Sequence, residues 1–159
     1  MSGFTLALVL HVIGVVLWIG GVAMVTTVLL PAVRRFKTPA ERVAFFEQVE
    51  SRFARQARFT TLLTGLSGFY MLHVLGLWGH LTPAYWWVYA MMLVWAIFTL
   101  MLFVLEPLVL HRWFRARAAR APERTFAFIQ RMHWVLLILS LVTVAGAVAG
   151  SHGWVWFSR

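Results

Sequence analysis

Six histidines stand in a chain of 159 residues that is 62% hydrophobic and only 12% charged. Imidazole ligates haem iron and copper and exchanges protons near neutral pH, and polar groups inside a bilayer are costly enough that they usually have a role. His11 falls about seven residues inside the outer end of the first apolar stretch, roughly 10 Å deep at 1.5 Å per residue. His73 falls about five residues inside the outer end of the second, so the two stand within about one turn of the same depth. Imidazoles on two helices at matched depth are what a bis-histidine haem b needs. His80 and His152 share that outer face as alternative ligands or propionate partners. His111 ends the third stretch and His133 begins the fourth, a pair suited to a second haem near the opposite face. The plainer alternatives are a solvated or helix-capping role for His80, His111, His133 and His152, and for His11 a hydrogen bond to a neighbouring helix.

The remaining polar groups are few. Glu106, followed by Pro107, is the one acidic residue within a span, to be paired with an arginine such as Arg55 or Arg58, protonated, or used as a proton relay. Pro107 removes a backbone donor and should kink the inner end of its helix. Arg52, Arg55 and Arg58 recur every third residue, and could bind carboxylates such as haem propionates or a quinol-like ligand. Methionines 24, 71, 91, 92 and 101 offer soft copper ligands or core packing. Gly14, Gly20, Gly21, Gly65, Gly68, Gly146 and Gly150 permit close helix approach or room for a flat macrocycle.

So little charge cannot clothe a water-facing domain, which excludes a soluble globular protein. Lys and Arg number 14 against 5 Asp and Glu, a net charge of +9, but they cluster in two blocks between uncharged stretches and give no basic face for nucleic acid. No cysteine is present, which excludes thiolate metal sites and a catalytic thiol. Four spans are expected, about residues 4–33, 59–78, 84–110 and 132–150, in one membrane domain over 1–159. The first is too long for a signal-peptide core and lacks a basic leader, so it reads as retained.

Arginines and Lys37 fill the connections 34–58 and 111–131, whereas the N-terminal stub and the turn 79–83 have none, so the positive-inside rule puts both termini outside an inner (plasma) membrane. Trp78, Trp86, Trp87, Trp154 and Trp156 form an outer aromatic belt and Trp113 and Trp134 an inner one, while Trp18 and Trp95 must pack inside. Thr38-Pro39-Ala40-Glu41 reads as a capping box, starting a helix that runs into span two. Pro122-Glu123-Arg124 echoes it, which suggests a parallel two-helix repeat, about 1–78 and 79–159.

Leu10-His11-Val12-Ile13-Gly14-Val15-Val16-Leu17-Trp18-Ile19-Gly20-Gly21, with the exit Leu29-Leu30-Pro31-Ala32-Val33-Arg34-Arg35, resembles the opening helix of the copper-resistance D (CopD-like) membrane family. The same helix is similar to the start of HemJ-type protoporphyrinogen oxidases, small four-span haem-associated proteins, and Arg112-Trp113 extends the likeness at the exit of span three. The resemblance implies His11 as a metal or haem ligand. The chain departs from the HemJ pattern at Thr26-Thr27-Val28-Leu29-Leu30 and at Glu106-Pro107, which favours a CopD-like relative. The expectation is an all-α, four-transmembrane-helix bundle, N-out and C-out, binding one or two haems b in transmembrane or quinone-linked electron transfer. Alternatives are copper transport or tolerance, with the same histidines as ligands, and a HemJ-type oxidase. Homo-oligomerisation stays open.

Overall fold

A computed structural model describes residues 2–35 and 38–154; Lys37 and Trp156 lie outside the described residues, as does the side chain of His111. Helix α1 spans Gly3–Met24, passes through a π-helical turn at Val25–Leu29 and ends as α2, Leu30–Val33. Helix α3 spans Pro39–Val74; after a 3-10 turn at Pro83–Tyr85 come α4, Trp86–Leu100, a π-helical segment, Met101–Leu110, and α5, His111–Arg120. Helix α6, Pro122–Ser151, completes the chain, and no strand occurs among the described residues.

Three continuous helical stretches, Gly3–Val33, Pro83–Leu110 and Pro122–Ser151, are long and apolar enough to cross a membrane. The segment expected as span two does not reach that measure, because Thr60, Thr61, Thr64, Gly65, Ser67 and Gly68 interrupt its apolar residues. The start of α3 is as read from the sequence: Thr38 Oγ1 accepts from the Glu41 backbone N–H at 3.3 Å, and the Glu41 carboxylate accepts from the Thr38 N–H at 3.1 Å. The echo at α6 has the proline and the acidic residue but no side-chain cap, since Ala121 stands where Thr38 does. The two helix starts are tied by an Arg42–Glu123 ion pair.

The long helices alternate in direction. A Cβ on Gly3 would meet Tyr70, one on Gly14 would meet Thr64 Oγ1 at 2.4 Å, and one on Gly21 would meet Phe53, so α1 and α3 run antiparallel in close contact. Thr61 accepts from Trp95 Nε1 at 2.9 Å across α3 and α4, and Gly146 and Gly150 of α6 seat Trp86 and Trp87 of α4. This corrects two expectations. Trp86 and Trp87 turn inward onto glycines instead of joining an outer belt, although Trp78 and Trp154 are exposed. The hollows at Gly65, Gly146 and Gly150 are filled by indole rings, leaving no slot at those positions for a macrocycle.

Two apolar clusters form the core. Trp18, Ile19, Val22, Val94, Phe98 and Leu137 pack at mid-height, with Trp18 edge-on to Phe98 at 4.9 Å. Toward the arginine-rich end, Val25, Leu29, Leu30 and Val33 pack with Phe46, Phe114 and Phe126, whose rings lie 5.3 to 5.8 Å apart.

Each π-helical segment meets a proline. In the i→i−5 pattern the donor to the Thr26 carbonyl would be residue 31 and the donor to the Leu102 carbonyl residue 107, and both are prolines without an N–H. Buried carbonyls need a partner. Gln130 Nε2 of α6 donates to the Thr26 carbonyl at 2.7 Å, and Arg58 Nε of α3 donates to that of Leu102 at 3.0 Å. Pro107 is therefore accommodated by a lengthened helical turn and a side chain from the next helix.

Candidate functional site

Between the two core clusters lies a cavity of about 420 Å³ walled by α1 and its π-helical turn, α3, α4, the π-helical segment Met101–Leu110, α5 and α6. Trp18 and Phe98 close its mid-height end, Phe46 and Phe114 line the arginine-rich end, and Met132, His133 and Leu136 face it from α6. Its polar side chains are Glu47, Glu50, Glu106 and His133, and the rings of Trp18 and Trp113 are among its aromatic walls. The volume falls within the range of small-molecule and cofactor sites, as does the pattern of apolar walls with a few convergent polar groups.

His133 Nδ1 stands 3.0 Å from the Ile129 carbonyl. A carbonyl can only accept, so Nδ1 carries the proton and Nε2 keeps its lone pair, the tautomer suited to ligating a metal. Arg58 NH2 donates to Glu106 Oε2 at 3.0 Å while its Nε holds Leu102, and Arg115 holds Glu47 through two bonds of 2.8 and 3.1 Å. Of the two arginines considered for Glu106, the structure selects Arg58; Arg55 is exposed. Glu50 makes no hydrogen bond or ion pair with any described residue. It lies in the part of α3 before the apolar stretch, and burial pushes its carboxyl up to about 7, with Glu106 and Glu47 acting in the same direction and Arg58 opposing. Trp18 is 3% exposed, and its Nε1 has no acceptor among the described residues.

The outer pair expected from the sequence is not brought together. His11 Nδ1 lies 2.9 Å from the Thr64 carbonyl and 3.3 Å from Ser67 Oγ, so His11 is level with Thr64. His73 lies nine residues further along α3, about 13 Å, and is exposed. Depth counted from the ends of the apolar stretches is misleading here because α3 extends past the start of α1, where Gly3 meets Tyr70. His80 is exposed. His152 is exposed too, its Nδ1 on the Val148 carbonyl at 2.8 Å, a helix-end bond. Arg52 and Arg55 are exposed and do not line the cavity, and the His111 side chain lies outside the described residues. Among the described residues no three His, Asp or Glu side chains gather as for a bare metal ion.

Sequence reasoning missed Glu50, Gln130 and the free indole N–H of Trp18. For Glu50 a signal existed: residues 47, 50, 54, 57, 61 and 64 recur at helical spacing on one face, and Ala54, Ala57, Thr61 and Thr64 are its buried members. No protein-family model matches the chain, and neither a curated protein nor a solved structure is significantly similar to it.

Proposed function

We propose that the protein is a four-span inner-membrane protein, both termini outside, that binds haem b in the cavity and exchanges electrons with a quinone or another redox partner. The observation that carries this reading is His133, an imidazole with a free Nε2 on the wall of an apolar, cofactor-sized cavity. Among the described residues it is the one histidine lining the cavity, so His133 of α6 is the residue that would hold a haem there. When bound, haem supplies one-electron chemistry. The chain's own part is to fix the His133 tautomer through Ile129 and to enclose the group with aromatic walls. The outer site of His11 and His73 lacks comparable support, given their different depths and the indoles that fill the bundle at that end. The CopD-like resemblance is consistent with a small redox-linked membrane protein.

Support for a fourth span comes from α3 itself. Phe59, Leu62, Leu66 and Tyr70 are 68%, 42%, 71% and 45% exposed, while Thr60, Thr61, Thr64 and Ser67 are buried. The Thr60, Thr64 and Ser67 hydroxyls donate to carbonyls one turn back. An apolar exterior over a small-residue interior is the pattern of a helix against lipid. The positive-inside rule then sets both arginine-rich connections in the cytoplasm.

A quinone in the same cavity is a second reading, favoured by apolar and aromatic walls to which Trp18 and Phe98 contribute their rings. Haem quantification on protein purified after expression with ample haem separates them. The first reading expects about one haem per chain. The second expects none, with quinone retention weakened by Trp18→Ala, which removes that wall.

A further inference from the structure

Glu50 is unlike the other two carboxylates of the cavity. Glu106 and Glu47 are each held by an arginine, whereas Glu50 faces the cavity with no such partner. It sits near the arginine-rich end, one helical turn from half-exposed Glu47 and on the same face of α3. A proton arriving from the aqueous phase at that end can reach it without crossing the Trp18–Phe98 cluster. The charged and titratable groups around it are Glu47 and Arg58 of α3, Glu106 of the π-helical segment, His133 of α6, and Arg115 of α5, which Glu47 holds; the residues of α1 that line the cavity are uncharged.

We propose that Glu50 is the proton-exchange group of the cavity, taking up a proton when a bound cofactor gains an electron and releasing it when the electron leaves. This rests on the reading of the cavity as a haem site. An external one-electron donor, a quinol or a dithionite-class reductant, supplies the electron that reduces ferric to ferrous iron. The Glu50 carboxylate meanwhile takes one proton from water to become a carboxylic acid, and oxidation reverses both. The physical cause is electrostatic: a negative charge added within a poorly screened cavity disfavours a second one on Glu50. The raised affinity of this carboxyl for protons, produced by burial, leaves both forms available near neutral pH.

The test is a redox titration of the haem-loaded full chain in lipid nanodiscs across pH 5.5 to 8.5. The wild-type midpoint potential should fall as pH rises, approaching about 59 mV for each tenfold change in proton concentration if one proton accompanies one electron. Glu50→Gln should flatten that dependence, and Glu50→Asp should keep it. An intact Soret band with a pH slope unchanged by Glu50→Gln overturns the proposal. Absence of a Soret band from the wild type refutes the haem reading separately. Infrared titration of the haem-free chain then decides Glu50: a carboxylic C=O band that titrates in this range and is missing from Glu50→Gln supports proton exchange, and its absence overturns it.

Discussion

Arg58 does two jobs with one guanidinium, and its consequences belong to the scale of single residues. It neutralises Glu106 and satisfies the Leu102 carbonyl that Pro107 leaves without a donor. Removing it by Arg58→Met strands a half-buried carboxylate and a backbone acceptor together, which should cost roughly 3 kcal/mol in detergent unfolding. Pro107→Ala returns an N–H to residue 107, so in that background the loss of Arg58 should cost measurably less, a coupling that a double-mutant cycle reads directly. Additive costs would show that Pro107 does not create the need for Arg58. Glu50 gives a pH prediction. Its carboxyl binds a proton more readily folded, at about 7, than unfolded, at about 4.5. It therefore lowers stability progressively as pH rises from the second value to the first. Glu50→Gln should match the wild type near pH 4 and exceed it in melting temperature at pH 8; equal melting temperatures at both would contradict the burial of this group.

At the scale of elements, the helices are held by small residues that admit rings. A Cβ on Gly65 would lie 2.4 Å from Trp95 Nε1, whereas one on Gly20 would meet nothing within 4 Å. Gly65→Ala should therefore destabilise by about 1–3 kcal/mol through overpacking. Gly20→Ala should be neutral or stabilising by a few tenths to about 1 kcal/mol, as helix propensity alone dictates; melting curves of the two variants separate these cases. Much at this scale was legible in the sequence, because it depends on local chemistry. Thr38 and Glu41 announce the start of α3, three of the four spans expected from apolar length are helices long and apolar enough to cross a membrane, and Trp18 and Trp95 had to turn inward. The depth of His73 was not legible, since it depends on where α1 docks along α3. Nor were the π-helical segments: a proline signals a lost donor, but which neighbour replaces it, Gln130 or Arg58, is decided by tertiary packing.

At the scale of the whole molecule, the bundle is closed by tryptophans at the end that carries its described termini and opened by a cavity at the arginine-rich end. That asymmetry moves the candidate chemistry from the histidine pair on the first two helices to the wall built by α3, α6 and the segment around Glu106. The sequence marked His133 and Glu106 as polar residues in apolar surroundings; it could not mark the cavity, which is made by side chains from seven separate elements. The central claim is that His133 holds a haem there. The most direct measurement is the reduced-minus-oxidised absorption spectrum of protein purified after expression with ample haem, comparing the wild type with His133→Ala and His11→Ala. Soret and α bands are expected in the wild type, lost in His133→Ala and retained in His11→Ala. A wild-type spectrum without those bands, or one unchanged by His133→Ala, would contradict that claim.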